Sequence, residues 1–258
     1  MNKIHFFEAG AGFPVVFLHG FCESNKIWLN LMNELSSEFR ILCPDLPGFG
    51  KSPALKNPFS LEQVGDELMH WLDEQQISES VVIGHSLGGY IALELLRKHK
   101  KSIAAIGLFN SSAFEDTPDK KENRDKLIQF LHHNGVAPFI KTFVPSLFYP
   151  PTKANFQHII DEIAGDGLSL DPNVVAGYAA AMRDRQDSME LLRKYSDKIL
   201  LIAGEHDQNV PLEKSKQMAA YLKTNNTCFM PDSAHMSLFE QPKACTIAVR
   251  TFLQSVTY

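Results

Sequence analysis

Short apolar runs and amphipathic stretches take turns along the chain. Val15-Val16-Phe17-Leu18 is β-branched and aromatic and stops at His19-Gly20, the pattern of a buried strand. The runs at 40–45, 80–84, 103–109, 199–203 and 227–230 read the same way. Helical patterns lie between them. Ser60 and Gln63 have the spacing of a capping box, and Leu61, Val64, Leu68, Trp71 and Leu72 then recur at helical spacing. Pro211 suits a first helical position ahead of Leu212, Met218, Ala219 and Leu222. Cys245, Ala248, Val249 and Phe252 share one face of the last helix.

Strands alternating with helices predict an α/β fold, a mostly parallel sheet covered by helices on both faces. Ligand sites of such a sheet lie at the carboxyl ends of its strands. The alternation breaks between 113 and 196, where only helical patterns occur. Leu127, Phe130 and Leu131 form one stripe, closed by Asn134-Gly135 as a C-cap. Asp171-Pro172 reads as an N-cap and first turn, and Asp187 with Glu190 as a second capping box. The expected organisation is therefore a core of 1–112 and 197–258 with a helical cap of 113–196 over the site.

The chemistry concentrates at predicted strand ends. Gly84-His85-Ser86-Leu87-Gly88 follows an apolar strand and precedes a helical pattern (Ile91, Ala92, Leu95), which is the setting a G-x-S-x-G turn requires. A sharp strand-to-helix bend lifts the Ser86 hydroxyl above the sheet. The glycines leave room for the strand and helix to approach, and the helix start offers the Leu87 amide to a developing oxyanion. A hydroxyl needs a base to act as a nucleophile. Asp207, in Gly204-Glu205-His206-Asp207, and His235, in Asp232-Ser233-Ala234-His235, both follow predicted strands and complete the order Ser, acid, His. His235 would take the Ser86 proton, and Asp207 would fix the imidazole tautomer.

Glu205 is a rival acid, but Asp207 lies further into the loop; Glu115 and Asp116 are weaker rivals after an earlier strand. His85 and His206 flank the site and read as supporting residues, while His132, His133 and His158 read as solvated. The second oxyanion donor is expected in His19-Gly20-Phe21-Cys22, with Phe21 as donor, Gly20 permitting the turn and His19 bracing the loop. Phe139, Phe143, Phe148, Tyr178 and Met182 of the cap, with Phe21 and Met236, are candidates for an apolar substrate pocket, or for the cap's own core. Arg183 and Arg185 are the candidates for meeting a substrate carboxylate.

Other signals narrow the field. At 258 residues and 44% hydrophobic content the chain can bury one large α/β domain. A net charge of -5 gives no electrostatic reason to expect nucleic-acid binding. No run reaches the roughly 18 apolar residues of a bilayer span, and Glu8 interrupts the start of the chain too early for a secretory signal. The four cysteines are scattered without a CxxC pair, so reduced thiols and a cytoplasmic location are the expectation. Gly50-Lys51-Ser52 ends like a phosphate loop, but Asp45 stands where the first glycine belongs; Gly10 and Gly12 lack the third glycine of a dinucleotide fingerprint. With no HExxH and no acidic cluster at metal spacing, no cofactor and no metal are expected. A small acyl substrate is the expected partner, with the protein a monomer or homodimer.

His19-Gly20-Phe21, the run 45–52 (DLPGFGKS), the run 84–89 (GHSLGG), Gly204 to Asp207 with Pro211, and His235 together resemble the α/β-hydrolase superfamily over nearly the whole chain. The resemblance implies an eight-stranded, mostly parallel sheet with a helical cap between strands six and seven. The stretch 180–192, with Arg183-Asp184-Arg185 and Asp187, is similar to enol-lactonase-like and small carboxylesterase members. Dehalogenase and epoxide-hydrolase members would carry aspartate where Ser86 stands. The implied activity is hydrolysis of a carboxylic ester, lactone or thioester. Carbon–carbon bond hydrolysis with the same three residues, or a ligand receptor that keeps the pocket, are the alternatives. A rate that depends on neutral His235 should fall as acid protonates it. A flat rate profile from pH 5 to 8 would count against that role.

Overall fold

The computed structural model describes residues 3–257. Seven strands form one sheet: β1 (Phe6–Ala9), β2 (Pro14–Leu18), β3 (Arg40–Pro44), β4 (Ser80–His85), β5 (Ile103–Phe109), β6 (Ile199–Gly204) and β7 (Thr227–Met230). Their spatial order is β1-β3-β2-β4-β5-β6-β7. β1 alone runs antiparallel, pairing Phe6 with Pro44 and Ala9 with Ile41; every other pairing is parallel. Among the described residues the sheet thus has seven strands where eight were expected. β1 had no counterpart in the sequence reading. It is a four-residue edge strand whose FFEA carries two adjacent aromatics and no alternation.

The central strands explain the long apolar runs. All six residues of β4 and all six of β6 are buried. Successive side chains point to opposite faces of a sheet, so such burial requires cover on both. The cover includes α1 (Leu29–Leu35), α2 (Leu61–Glu74), α3 (Leu87–Lys98), α9 (Leu212–Ala219) and α11 (Pro242–Thr257), the last preceded by the short α10 (Ser237–Glu240). α2 packs on α3, and α1 on α11. Ser60 caps α2 as the sequence predicts, its side chain accepting from Gln63 N while the Gln63 side chain accepts from Ser60 N.

Residues 113–196 contain five α-helices, one short 3-10 helix (Lys153–Phe156) and no strand: α4 (Pro118–Asn134), α5 (Ala137–Ser146), α6 (Gln157–Leu168), α7 (Pro172–Arg183) and α8 (Met189–Lys194). They enter between β5 and β6, one strand earlier in the count than expected because the sheet has one strand fewer. α4 packs along α7, and α5 on α6. Gly135 ends α4 at φ 72, and the Asp171 side chain caps α7 through Asn173 N. Two predicted caps move by one residue. Ser188 precedes α8, with Asp187 accepting from Met189 N and no return bond from Glu190; Pro211 is itself the cap residue of α9. In the α4 stripe Leu131 is fully buried, but Phe130 faces outward at 40% exposure.

Candidate active site

Ser86 sits between β4 and α3 with φ 49 and ψ -110, a strained conformation for a side chain with a Cβ. The backbone around it over-determines that strain. Ser86 N donates to Phe109 O at 2.9 Å, and the Ser111 hydroxyl donates to Ser86 O at 2.7 Å. The crossing is possible only because Gly84 and Gly88 lack side chains: a Cβ on Gly84 would overlap the Gly88 backbone, and one on Gly88 the Leu18 carbonyl.

Asp207 follows β6 and is 4% exposed. Its carboxylate receives four hydrogen bonds. Oδ1 accepts from Asn209 N at 2.8 Å and Val210 N at 3.0 Å; Oδ2 accepts from Asn110 Nδ2 at 3.2 Å and meets His235 Nδ1 at 2.7 Å. Burial alone would raise this carboxyl, but the charge and hydrogen bond of His235, with Val210 N and Asn110, hold it below the usual range. An ionised Asp207 can only accept, so Nδ1 of His235 carries a proton. In the neutral ring Nε2 is then left with its lone pair.

His235 is held from both sides of its own peptide. Its N–H donates to Leu147 O at 3.0 Å, and its carbonyl accepts from His85 Nε2 at 2.9 Å. Leu147 belongs to the helical segment, so that segment grips the histidine loop directly. His85 Nδ1 in turn meets Glu23 Oε2 at 3.0 Å, and Glu23 Oε2 accepts from Gly20 N at 2.6 Å. Glu23 and His85 are 3% and 0% exposed. Burial would raise the glutamate and lower the histidine; each partner's charge and hydrogen bond reverses this, leaving Glu23 below and His85 above its ordinary value. The pair is a buried carboxylate and imidazolium joining the loop at Gly20, the Ser86 turn and the His235 loop.

Phe21 N, in the turn after β2, and Leu87 N, at the start of α3, have no protein acceptors among the described residues. His19 braces the turn after β2. Its Nε2 accepts from Leu46 N at 2.9 Å and its Nδ1 donates to Gly20 O at 2.9 Å, a pairing of the neutral ring. Burial lowers its value, more than the Gly20 carbonyl and nearby acids raise it.

The family model described as alpha/beta hydrolase fold matches residues 14–143. The chain belongs to the α/β-hydrolase family. It is similar to a thermophilic esterase from Thermogutta terrifontis at 31% identity and TM-score 0.92, covering 99% of this chain and 94% of that one. It is also similar to 3-oxoadipate enol-lactonase 1 of Acinetobacter baylyi, 26% identical over 94% of this chain and 89% of the relative. Protein PHYLLO, chloroplastic, of Arabidopsis thaliana is 25% identical over 96% of this chain, but the match spans only 16% of that longer protein.

In this α/β-hydrolase, Ser86, His235, Phe21, Phe139, Phe143 and Met182 line one pocket of about 350 Å³. Phe139 and Phe143 stack at 4.8 Å, and the Phe21 ring packs on both at 6.1 and 6.0 Å. Three predicted pocket residues lie elsewhere. Tyr178 is fully buried, its hydroxyl donating to Pro47 O at 2.9 Å while its ring meets Phe49 and Phe59; it is a strut between α7 and the loop after β3. Met236 is fully buried beside His235 and does not line the pocket. Phe148 stacks with Phe156 and Phe239. Apolar spacing marks burial, and all three are buried, but it does not tell a cavity wall from a packed core.

The rival acids are engaged elsewhere. Glu205 is exposed, Glu115 pairs with Lys121 at 2.7 Å, and Asp116 is buried between Arg185 and Arg124. Arg183 is held outside the pocket by Asp184 and Asp125, and Arg185 is sequestered by Asp116. His132, His133 and His158 are exposed, as is His206, which stacks on Tyr149 at 4.3 Å. Sequence reasoning missed Glu23, Asn110, and the pocket residues of α4. Asn110 directly follows β5, so the strand-end rule that found Asp207 could have found it.

Among the described residues no group of three or more His, Cys, Asp or Glu is placed to hold a metal ion. No described helix is long and apolar enough to cross a membrane. The four cysteines are free thiols.

Proposed function

We propose that this protein is a serine hydrolase of carboxylic esters or lactones that works through an acyl-enzyme. The observation that carries the reading is the 2.7 Å contact of His235 Nδ1 with a buried, fully bonded Asp207 carboxylate, in a pocket that also holds Ser86. His235 Nε2 takes the Ser86 proton as Oγ attacks the acyl carbon. The amides of Phe21 and Leu87 hold the oxyanion. The tetrahedral adduct collapses, and Nε2–H returns the proton to the departing alcohol. Water, deprotonated by the same nitrogen, then cleaves the acyl–Ser86 bond and releases the acid. Side chains and backbone amides handle every proton and bond in this scheme, so it calls for no cofactor.

Residues 113–196 act as a cap over the pocket, with Phe139, Phe143 and Met182 as its apolar wall. The esterase and enol-lactonase similarities support acyl-oxygen cleavage. A volume of about 350 Å³ suits a small acyl group.

A fluorophosphonate probe should label the purified protein once, on the peptide bearing Ser86, and abolish turnover across a panel of acyl esters, lactones and acyl thioesters. Absence of label together with absence of turnover would favour a ligand receptor on the same fold and overturn the proposal.

A further inference from the structure

Lys120, Asn123, Arg124 and Leu127 recur at i, i+3, i+4 and i+7 along α4, and all four line the pocket that holds Ser86 and His235. Two cationic side chains and no acidic one face this cavity among its described lining residues, in a chain whose net charge is -5. The local charge is therefore opposite in sign to that of the whole molecule.

Its origin lies beneath the wall. The Asp116 carboxylate is shared by two guanidiniums: Arg185 Nη1 lies 2.8 Å from Oδ1 and Arg124 Nε 3.2 Å from Oδ2. Burial would raise Asp116, but the two arginines outweigh burial and keep it below its ordinary value, so it is ionised. One negative charge between two permanent positive ones leaves a surplus of one positive charge.

Arg185 cannot present that surplus to a ligand. Its side chain is 5% exposed, Nη1 donates to Met182 O and Nη2 to Phe114 O, and the guanidinium lies 4.1 Å over the Tyr90 ring. Arg124 is different. Its side chain is 22% exposed, Asp116 engages its Nε, and among the described residues its two terminal nitrogens donate to no protein acceptor. Lys120 Nζ uses one of its protons on Asn209 O at 2.8 Å and keeps two. The Nε bond fixes the plane of the Arg124 guanidinium while leaving a pair of terminal donors, the geometry a carboxylate accepts.

We propose that the pocket takes an acyl substrate bearing a second, ionised carboxylate, which Arg124 and Lys120 hold while the ester carbonyl lies at Ser86. The proposal rests on the hydrolase reading above and adds the substrate class: half-esters of dicarboxylic acids. Leu127, Phe139 and Phe143 would pack on the methylene spacer between the two ends.

The test compares mono-p-nitrophenyl adipate with its neutral counterpart, methyl p-nitrophenyl adipate, on the full chain. The wild type should favour the acid in kcat/KM, and the preference should shrink as salt screens the contact. Hydrogen bonds to charged groups stabilise by about 1.5–3 kcal/mol, so Arg124→Gln should reduce the acid-to-neutral ratio about 10- to 100-fold. Lys120→Gln, outside the buried cluster, should reduce it several-fold, which covers the case of Arg124→Gln failing to fold. A ratio near or below one in the wild type, or a ratio unmoved by both substitutions, overturns the carboxylate subsite while leaving the hydrolase reading intact. Turnover of neither ester, with no fluorophosphonate label on Ser86, overturns the hydrolase reading and this proposal with it.

Discussion

Replacing Ser86 with alanine is expected to lower kcat on a short-chain aryl ester by about a million-fold, the size of loss when the nucleophile of a Ser-His-Asp set is removed. About 1000- to 10000-fold acceleration over water should survive, because the Phe21 and Leu87 amides and the pocket remain. The backbone at residue 86 adds a second expectation. Alanine keeps a Cβ at φ 49 and so keeps the strain, whereas glycine relieves it. Ser86→Gly should be equally inactive and more stable than Ser86→Ala by about 1 kcal/mol, since such strain costs on the order of 1–3 kcal/mol and glycine's extra backbone freedom offsets part of the gain. Activity on the aryl ester and urea midpoints of the three proteins check both statements. Retained turnover in the alanine variant would remove Ser86 from the mechanism. A glycine variant no more stable than the alanine one would mean that the turn is not strained.

The edge that gathers Ser86, Asp207 and His235 was legible because each of its parts has a local signature. A strand ends and the polar group follows within a few residues: Ser86 directly after β4, Asp207 in the turn after β6 and His235 in the loop after β7. The core strands were legible for a related reason, since burial on both faces writes an unbroken apolar run. What escaped is marked mainly by its distant partner. Glu23 meets His85 across 62 positions, and Asn110 meets Asp207 across 97. Glu23 sits among ordinary loop residues; Asn110 does stand at a strand end, after β5, but nothing near it in sequence names the carboxylate it serves. Arg124 and Lys120 belong to a helix face whose apolar members, Leu127 and Leu131, were recognised, but a charged residue on such a face is by default solvated. Only the buried Asp116 beneath it, paired twice, changes that reading. Tyr178 and Met236 failed in the opposite direction: their apolar character announced burial correctly and their place in the pocket wrongly.

Removing Glu23 should be the most destabilising single change near the site. Glu23→Ala leaves the His85 ring buried without its carboxylate, and breaking one partner of a buried ion pair typically costs about 3–5 kcal/mol. A chain of this length loses roughly 2–4 °C of Tm per kcal/mol, so a fall of at least about 6 °C is expected. His85→Ala should cost a similar amount, and the double variant less than the sum, because the second removal takes away a group already stranded. The pH dependence has a definite sign. The Glu23 carboxyl lies below its ordinary value, so its contribution is complete above about pH 4.3 and is lost as pH falls through the folded value. His85 lies above its ordinary value, so its contribution is complete below about pH 6.5 and is lost as pH rises through the folded value. The coupling between the two residues should therefore be largest between about pH 4.3 and 6.5 and decline on either side. Activity should fall with stability, because Glu23 also holds Gly20 N beside the Phe21 amide, and His85 holds the carbonyl of His235. Gly20 fits the same account, since a Cβ there would lie 2.7 Å from both Glu23 Oε2 and His85 Nδ1. A double-mutant cycle by thermal and urea denaturation across pH 4 to 9 tests the pair. Strictly additive losses, or a coupling that does not change with pH, would show that the two side chains are packed together without being charged.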